Sequence, residues 1–358
     1  MISNFKSTND LSEMVGHFSF INNFNFKTMN FNFQGTDVVP FNQPATIDTN
    51  KVAKRPFVEA NTEEVSLSFL KNKCIIPVFT KDNETTLSHQ EFIDTSWNVV
   101  KSIFPNEVIE EPEIRVSHQI KGRTPDAIHI PVKDLLENQK TTYYERMAFI
   151  IRIPSITETI NGNTLALTIG GVRALNTENL YNKKTYEKFK IFIGFQNMVC
   201  CNLCVSTDGF KEELKAMSAI DLEDKILQLF TSYNMHRHIH SMEQLSNYSL
   251  TESQFAQLIG KGRLYNFLPK KEKLLLPELL LNDGHLTAVA KDYYQDESFC
   301  KAESGDINLW NFYNLLTGSN KSSYLDTFLD RGVNAFHFAE GVSHALNDRS
   351  SKHAWFIQ

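Results

Sequence analysis

The chain has 358 residues, of which 41% are hydrophobic and 22% are charged, and its formal net charge is −6. These proportions are typical of a globular protein and exclude a wholly disordered, collagen-like or disulfide-scaffold chain. At about 150 residues per domain, the length corresponds to roughly two domains. The negative net charge argues against a histone-like protein, but it leaves room for local basic patches.

The ends and the cysteines point to an ordinary intracellular protein. Residues 1–30 contain no continuous apolar segment with a small-residue cleavage site, so no secretory signal is predicted. No apolar run approaches the ~20 residues needed to span a bilayer. The five cysteines are an odd set without a framework pattern, which suits a reducing compartment. We therefore expect a cytoplasmic protein without membrane association.

Residues 1–60 differ from the rest in being rich in asparagine, serine and threonine. Their phenylalanines recur in pairs two residues apart, so that each pair would share one side of an extended strand. The pairs are Phe18 and Phe20, Phe24 and Phe26, and Phe31 and Phe33. We interpret this segment as an extended arm that packs on the main body or on a neighbouring subunit. The alternative, a platform for stacking bases, is less favoured because only Lys27 accompanies the rings.

The next part of the chain predicts mixed structure. Residues 74–79 resemble a short strand that Pro77 confines to an edge. Ser88 and Glu91 form a capping-box pattern that predicts a helix as far as about Phe104. Residues 114–120 alternate as a strand does and lead into a basic stretch at 121–123.

The centre of the sequence predicts a β-meander. Strand-like segments occupy residues 146–153, 165–172, 189–195 and 198–205. Turns are predicted at 161–163 and at Gln196 and Asn197, and a bend at Gly170 and Gly171. We expect about four or more antiparallel strands, with one face packed against helices.

The C-terminal third shows the helical period. Helices are predicted over residues 221–245, 251–268, 306–316 and 324–346. The fold class is therefore α+β, a central antiparallel sheet followed by a helical third. We divide the chain into an arm (1–60), a sheet-containing region (61–210) and a helical region that packs on the sheet (211–358). The last two regions can equally be one continuous domain (61–358).

Patterns for catalysis and metal binding are weak. Cys201 and Cys204 form a C-x-x-C pair that lacks a second ligand pair, and His236, His238 and His240 favour a solvated helix end. His337, Glu340 and His344 share one helix stripe and are weak metal candidates, but a lone helix cannot complete a site. We expect no cofactor and assign no catalytic residue. A metal-dependent enzyme remains the third hypothesis.

Residues 318–323 resemble the end of a phosphate-binding loop, although Asn320 replaces the glycine that precedes the lysine in that motif. The segment precedes a predicted helix, so its backbone amides and Lys321 could hold one anion. A capped loop without a ligand is the favoured alternative.

Three basic stretches with interleaved aromatic residues indicate nucleic-acid binding more strongly than the motifs above indicate catalysis or metal binding. Phosphates require cations, and unstacked bases require flat partners. The first contains Arg115, Lys121 and Arg123, the second Lys183, Lys184 and Lys188, and the third Lys261 and Arg263, followed by Lys270, Lys271 and Lys273. Tyr181 and Tyr265 lie among them as candidate stacking residues, and Lys321 is added as a phosphate contact. The alternative is that these stretches are ordinary solvated faces.

Several strings are similar to a known family. They occupy residues 114–123, 143–147, 163–171, 189–197 and 307–323. They resemble domain-of-unknown-function family 3871 of Bacteroides relatives, whose members lie mainly on mobile elements. Cys201-Asn202 and residues 309–315 show a looser similarity to the phage and plasmid family 932. The resemblance implies a mobile-element setting and carries over no catalytic residue.

The leading hypothesis is a nonenzymatic nucleic-acid-binding protein of a mobile element that prefers single-stranded DNA. It would act as a homo-oligomer and could promote strand annealing or DNA processing. The alternative is a protein-binding module that counters a host defence protein. The sequence does not show whether the three basic stretches meet on one face.

Overall fold

A strand-rich part precedes a helical part in the computed structural model, which describes residues 55–74, 86–127, 129–178 and 186–358. The prediction of an α+β protein is confirmed: an antiparallel sheet comes first, and most of the helices follow it. Most of the predicted arm, and residues 75–79 of the predicted first strand, lie outside the described residues. Residues 54–358 form one unit.

Seven strands of the described part of the chain form the main sheet: six pair in the order β1-β2-β3-β4-β5-β6, and β7 pairs with β5. All of these pairings are antiparallel. The strands are β1 (Glu63–Val65), β2 (Glu113–Arg123), β3 (Lys140–Ile160), β4 (Asn163–Ala174), β5 (Glu187–Asn197), β6 (Leu203–Cys204) and β7 (Phe210–Ala216). A second, two-stranded sheet joins β8 (Ser249–Leu250) to β9 (Ile307–Asn308).

Among the described residues, two α-helices lie before β2 and the other α-helices follow β7. The first group is α1 (Leu67–Lys73) and α2 (His89–Ile103). The second is α3 (Ala219–Ser232), α4 (Met235–Leu245), α5 (Glu252–Phe267), α6 (Lys270–Lys273), α7 (Asp283–Gln295), α8 (Leu309–Asn320), α9 (Leu325–Asn347) and α10 (Ala354–Ile357). No helix among the described residues combines the length and apolar character that crossing a membrane requires.

Both faces of the sheet are buried. Alternate residues such as Phe149 and Ile169 face α2, α3 and α4 and belong to a core that continues into the C-terminal helices. The opposite face packs Ala148, Ile150 and Val172 against the first turns of α9. We call this second surface the α9 face. Because both faces are covered, β4 reads as a nearly continuous buried run rather than as an alternating one.

Local signals placed several element ends correctly. Ser88 and Glu91 form the predicted capping box at the start of α2, and Thr251 and Gln254 form one at the start of α5. The turn between β3 and β4 is also confirmed, since Asn161 and Gly162 both have positive φ.

Other predictions of local structure were wrong. Gly170 and Gly171 do not bend β4 but lie within it. Glycine is required at both positions because a Cβ there would overlap a neighbouring backbone or phenylalanine ring. The turn predicted at Gln196 and Asn197 comes after Asn197, since β5 continues through both residues. The predicted helix over 221–245 is two helices, separated at Tyr233 and Asn234. Strand β7 and helix α7 were not anticipated.

Candidate nucleic-acid interface

Cations on the α9 face are neutralised by carboxylates from distant parts of the sequence. Lys190 on β5 pairs with Asp330 of α9. Arg146 on β3 lies 3.5 Å from Asp326, measured from Nε to Oδ2. These ion pairs fasten α9 to the sheet, so the cations are engaged in packing and are not free for a ligand.

The predicted contacts of the first two stretches are mostly engaged as well. Arg115 donates to the backbone carbonyl oxygen of Thr62 at 2.9 Å and to its hydroxyl. Arg123 donates to the carbonyl of Ile130, and Lys188 pairs with Glu213 on β7. Lys121 is exposed at the end of β2 and forms no ion pair with a described residue. Tyr181, Lys183 and Lys184 lie outside the described residues.

The predicted contact residues of the third stretch are also engaged or buried. Lys261 donates to the carbonyl of Gln358 and lies over the ring of Trp355, and Arg263 is bonded to both carboxylate oxygens of Asp283. Tyr265 is buried against Phe356, so its ring offers no open face for stacking a base. That placement follows from the helix period, which turns Tyr265 inward.

The structure brings only some of the basic residues together. Arg115 and Lys190 lie in one row across β2, β3, β4 and β5, separated by three strand spacings. At ~4.8 Å per spacing this is about 14 Å. Helix α5, which carries Lys261 and Arg263, packs mainly against α7 and α10 instead. The three stretches therefore do not form one continuous groove among the described residues.

In the described part of the chain, a basic surface is open at the junction of α5 and α6. Lys270 and Lys271 are exposed and form no ion pair with any described residue. Phe267 is 80% exposed and Leu274 is 82% exposed. We call Leu264, Phe267, Lys270, Lys271, Leu274 and Leu275 the α5–α6 corner. It places an open aromatic ring a few residues from two free ammonium groups.

Local chemistry explains the shape of this corner. Pro269 has no backbone N–H to donate, and it ends α5 and begins the short helix α6. Lys273 folds back, donates to the carbonyl oxygen of Asn266 at 3.0 Å and lies over the buried ring of Tyr265. The third lysine thus closes the end of α5, whereas Lys270 and Lys271 point to solvent. Exposure alone does not distinguish these two lysines from the engaged cations, because Lys188 and Arg263 are also exposed but are paired with Glu213 and Asp283.

The loop at 318–323 does not present an anion site. The backbone amides of Lys321, Ser322 and Ser323 donate to the carbonyls of Gly318, Ser319 and Asn320, so they are already used. Lys321 is buried and donates to the carbonyl of Cys200. Burial lowers the pKa of Lys321, because the charged form is poorly solvated there. The capped-loop alternative describes this segment.

The metal hypothesis finds no support in the described residues. His337 is hydrogen-bonded through Nε2 to Thr207, and its Nδ1 lies 3.8 Å from Glu340. Among the described residues, no group of three or more histidine, cysteine, aspartate or glutamate side chains is placed to hold a metal ion. The stripe that includes His344 lacks ligands from a second element.

The fold and the corner define an α+β protein whose helical part carries a small basic and apolar surface. The chain belongs to the family described as "Domain of unknown function, B. Theta Gene description (DUF3871)", whose model matches residues 41–357. The resemblance stated from the sequence is thereby confirmed for family 3871, and the looser similarity to family 932 stays a prediction. No curated protein and no solved structure is significantly similar to the chain.

Proposed function

We propose that this chain is a cytoplasmic, nonenzymatic nucleic-acid-binding protein of a mobile element, which prefers single strands and binds them at the α5–α6 corner. The observation that carries the proposal is the exposed ring of Phe267, followed within a few residues by the exposed Lys270 and Lys271, which form no ion pair with a described residue. An unstacked base can lie on an open phenyl ring, and its phosphates can meet the two ammonium groups. A duplex hides the faces of its bases, so the ring favours a single strand.

The corner is small, which supports assembly of several copies along one strand. Two free lysines neutralise about two phosphates, and one ring stacks about one base, so a single corner supplies a modest affinity. Repetition along a strand multiplies such contacts without any new chemistry. We therefore propose homo-oligomeric binding, with strand annealing as one outcome that it would permit.

The test is fluorescence anisotropy of a labelled single strand and of the matching duplex, at low and at physiological salt. The double variant K270E/K271E should weaken single-strand binding and reduce the salt slope by about 1.4, since each phosphate contact contributes ~0.7 for single strands. The control K291E/K352E makes the same change of net charge at exposed lysines outside the corner. It should bind as the unmodified chain does.

The results of this test distinguish between failure of the proposed function and a wrong position of the binding site. Flat anisotropy of the unmodified chain at low salt would remove the proposed function. Binding that survives K270E/K271E but is lost in K183E/K184E would move the site to the second basic stretch, which lies outside the described residues.

A second candidate function rests on the exposed leucines of the corner. Leu264, Leu274 and Leu275 are each more than half exposed, and apolar clusters with a polar rim often mark protein-binding surfaces. A protein-binding module that counters a host defence protein would use this surface without nucleic acid. Loss of a captured partner in L274S/L275S, together with no oligonucleotide binding, would favour it.

A further inference from the structure

A cavity of about 310 Å³ lies beside the short edge strand β1 and the start of β2. Its walls contain three glutamates (Glu64, Glu111, Glu113), two arginines (Arg115, Arg152) and two prolines. The volume is at the lower end of the range of ~300–1,000 Å³ found for small-molecule sites. A small and polar ligand suits such a site, because charged groups form most of the wall.

Arg152 is a buried residue with one nitrogen, Nη2, that no described residue uses. Its side chain is only 5% exposed, and its Nε and Nη1 donate to Glu110 at 2.6 Å, to Glu113 at 3.2 Å and to Gln196 at 2.9 Å. These bonds hold the guanidinium plane fixed. Nη2 forms no hydrogen bond with a described residue, which leaves a positioned donor at the cavity.

Arg115 provides a second fixed donor on the same wall. Its Nε and Nη2 are held by Thr62, at distances of 2.9 to 3.1 Å. Among the described carboxylates, its Nη1 has only Glu64 within ion-pair distance, at 4.0 Å, which is too long for a hydrogen bond. Two oriented guanidinium groups with one open nitrogen each suit the two oxygens of a carboxylate.

Carboxylates supply the complementary half of the cavity. Glu64 is 70% exposed and Glu111 is exposed, and neither accepts a hydrogen bond from a described residue. Carboxylates accept hydrogen bonds only, so they suit the three N–H donors of a primary ammonium. A simple anion would leave these groups without a partner, and a simple cation would leave the guanidinium donors without one.

We infer that this cavity binds a small zwitterion of the free α-amino acid type, its carboxylate on Arg115 and Arg152 and its ammonium on Glu64 and Glu111. The site is separate from the α5–α6 corner, and the inference does not depend on nucleic-acid binding. Binding would stabilise the edge of the sheet, because β1 and the start of β2 both contribute to the site.

The experiment uses the full chain and three probes, namely glycine, L-glutamine and L-arginine, each at millimolar concentration. Isothermal titration calorimetry and thermal unfolding should show saturable binding of at least one probe. The methyl ester and the N-acetyl form of that probe each remove one charge, and each should bind at least tenfold more weakly. Loss of one hydrogen bond to a charged group corresponds to about that factor.

Variants then locate the binding. E64Q and E111Q lie at the cavity and should each weaken binding about tenfold, since a carboxamide lacks the negative charge that the ammonium meets. E223Q changes an exposed glutamate on α3 that is far from the cavity in sequence and forms no ion pair with a described residue, and this variant should bind as the unmodified chain does. No saturable heat from any of the three probes would overturn the inference, as would unchanged binding in both E64Q and E111Q.

Discussion

The α9 face and the α5–α6 corner both carry basic residues, yet only one of them has charge to offer. On the α9 face, Lys190 and Arg146 meet Asp330 and Asp326, which lie more than a hundred residues further along the chain. At the corner, Lys270 and Lys271 meet no carboxylate of a described residue. A run of cations without acids nearby in sequence therefore does not show free charge. Whether a cation is free to bind a ligand depends on whether the fold places a carboxylate beside it.

The two regions also differ in how much their charges affect the stability of the fold. Removing one member of a buried pair leaves an uncompensated charge and destabilises a protein strongly, whereas exposed charges contribute little to stability. Changes on the sheet side should therefore alter folding. Changes at the corner should alter binding and leave folding nearly unchanged.

Lowering the pH should produce the largest change in the free energy of unfolding, and this change should come from the buried histidines. Burial lowers the pKa of His89 to about 3 and that of His238 and His285 to about 4, against 6.5 in the unfolded chain. Between about pH 4 and pH 6.5 the unfolded chain binds more protons than the folded chain. The stabilisation by the neutral buried histidines is therefore complete above pH 6.5 and is lost as the pH falls toward 4. Each such histidine adds about 1.4 kcal/mol per pH unit to the slope.

Urea unfolding between pH 7 and 5 measures this slope. H238F should reduce it by about one proton, because His238 is buried among Phe195, Tyr233 and Phe336. H240A, at an exposed position two residues away, is the control for replacing a histidine of the same helix. Oligonucleotide binding of the folded chain should not vary over this range, since lysines remain charged. An unfolding free energy that does not change with pH would contradict the prediction.

The ion pair between Lys190 and Asp330 gives the next largest effect. D330A should lower the free energy of unfolding by about 2–3 kcal/mol, below the range for fully buried pairs because the two side chains are 23% and 19% exposed. The double variant K190M/D330L should recover most of that loss, since it leaves no charge unpaired. Urea unfolding at neutral pH provides the measurement.

A matched control is the ion pair of Lys188 with Glu213, which joins β5 to β7 in the exposed part of the sheet. E213A should cost less than about 1 kcal/mol, because both side chains are more than two-fifths exposed. If D330A and E213A lowered the free energy of unfolding equally, the ion pair on the α9 face would be no more buried in its effect than the exposed one.

The sequence predicted elements better than it predicted the site. Capping patterns at Ser88 and Thr251 marked two helix starts, because such signals depend only on residues three apart. Gly171 was misjudged because its role depends on Phe92, which comes from a different element. Arg115 and Lys188 were read as free for the same reason, since Thr62 and Glu213 are brought to them only by strand pairing.

The smallest expected change in the free energy of unfolding comes from F267A, which tests binding at the corner. F267A should weaken single-strand binding by about 1–3 kcal/mol, the range measured when a ring that stacks a base is removed. Because the ring is largely in water, the free energy of unfolding should change by no more than about 0.5 kcal/mol. F69A, at a partly exposed phenylalanine of α1, should leave binding unchanged, and F267W should retain it. If F267A bound as tightly as the unmodified chain while K270E/K271E did not, the corner would act through charge alone, and the preference for single strands would have to come from another surface.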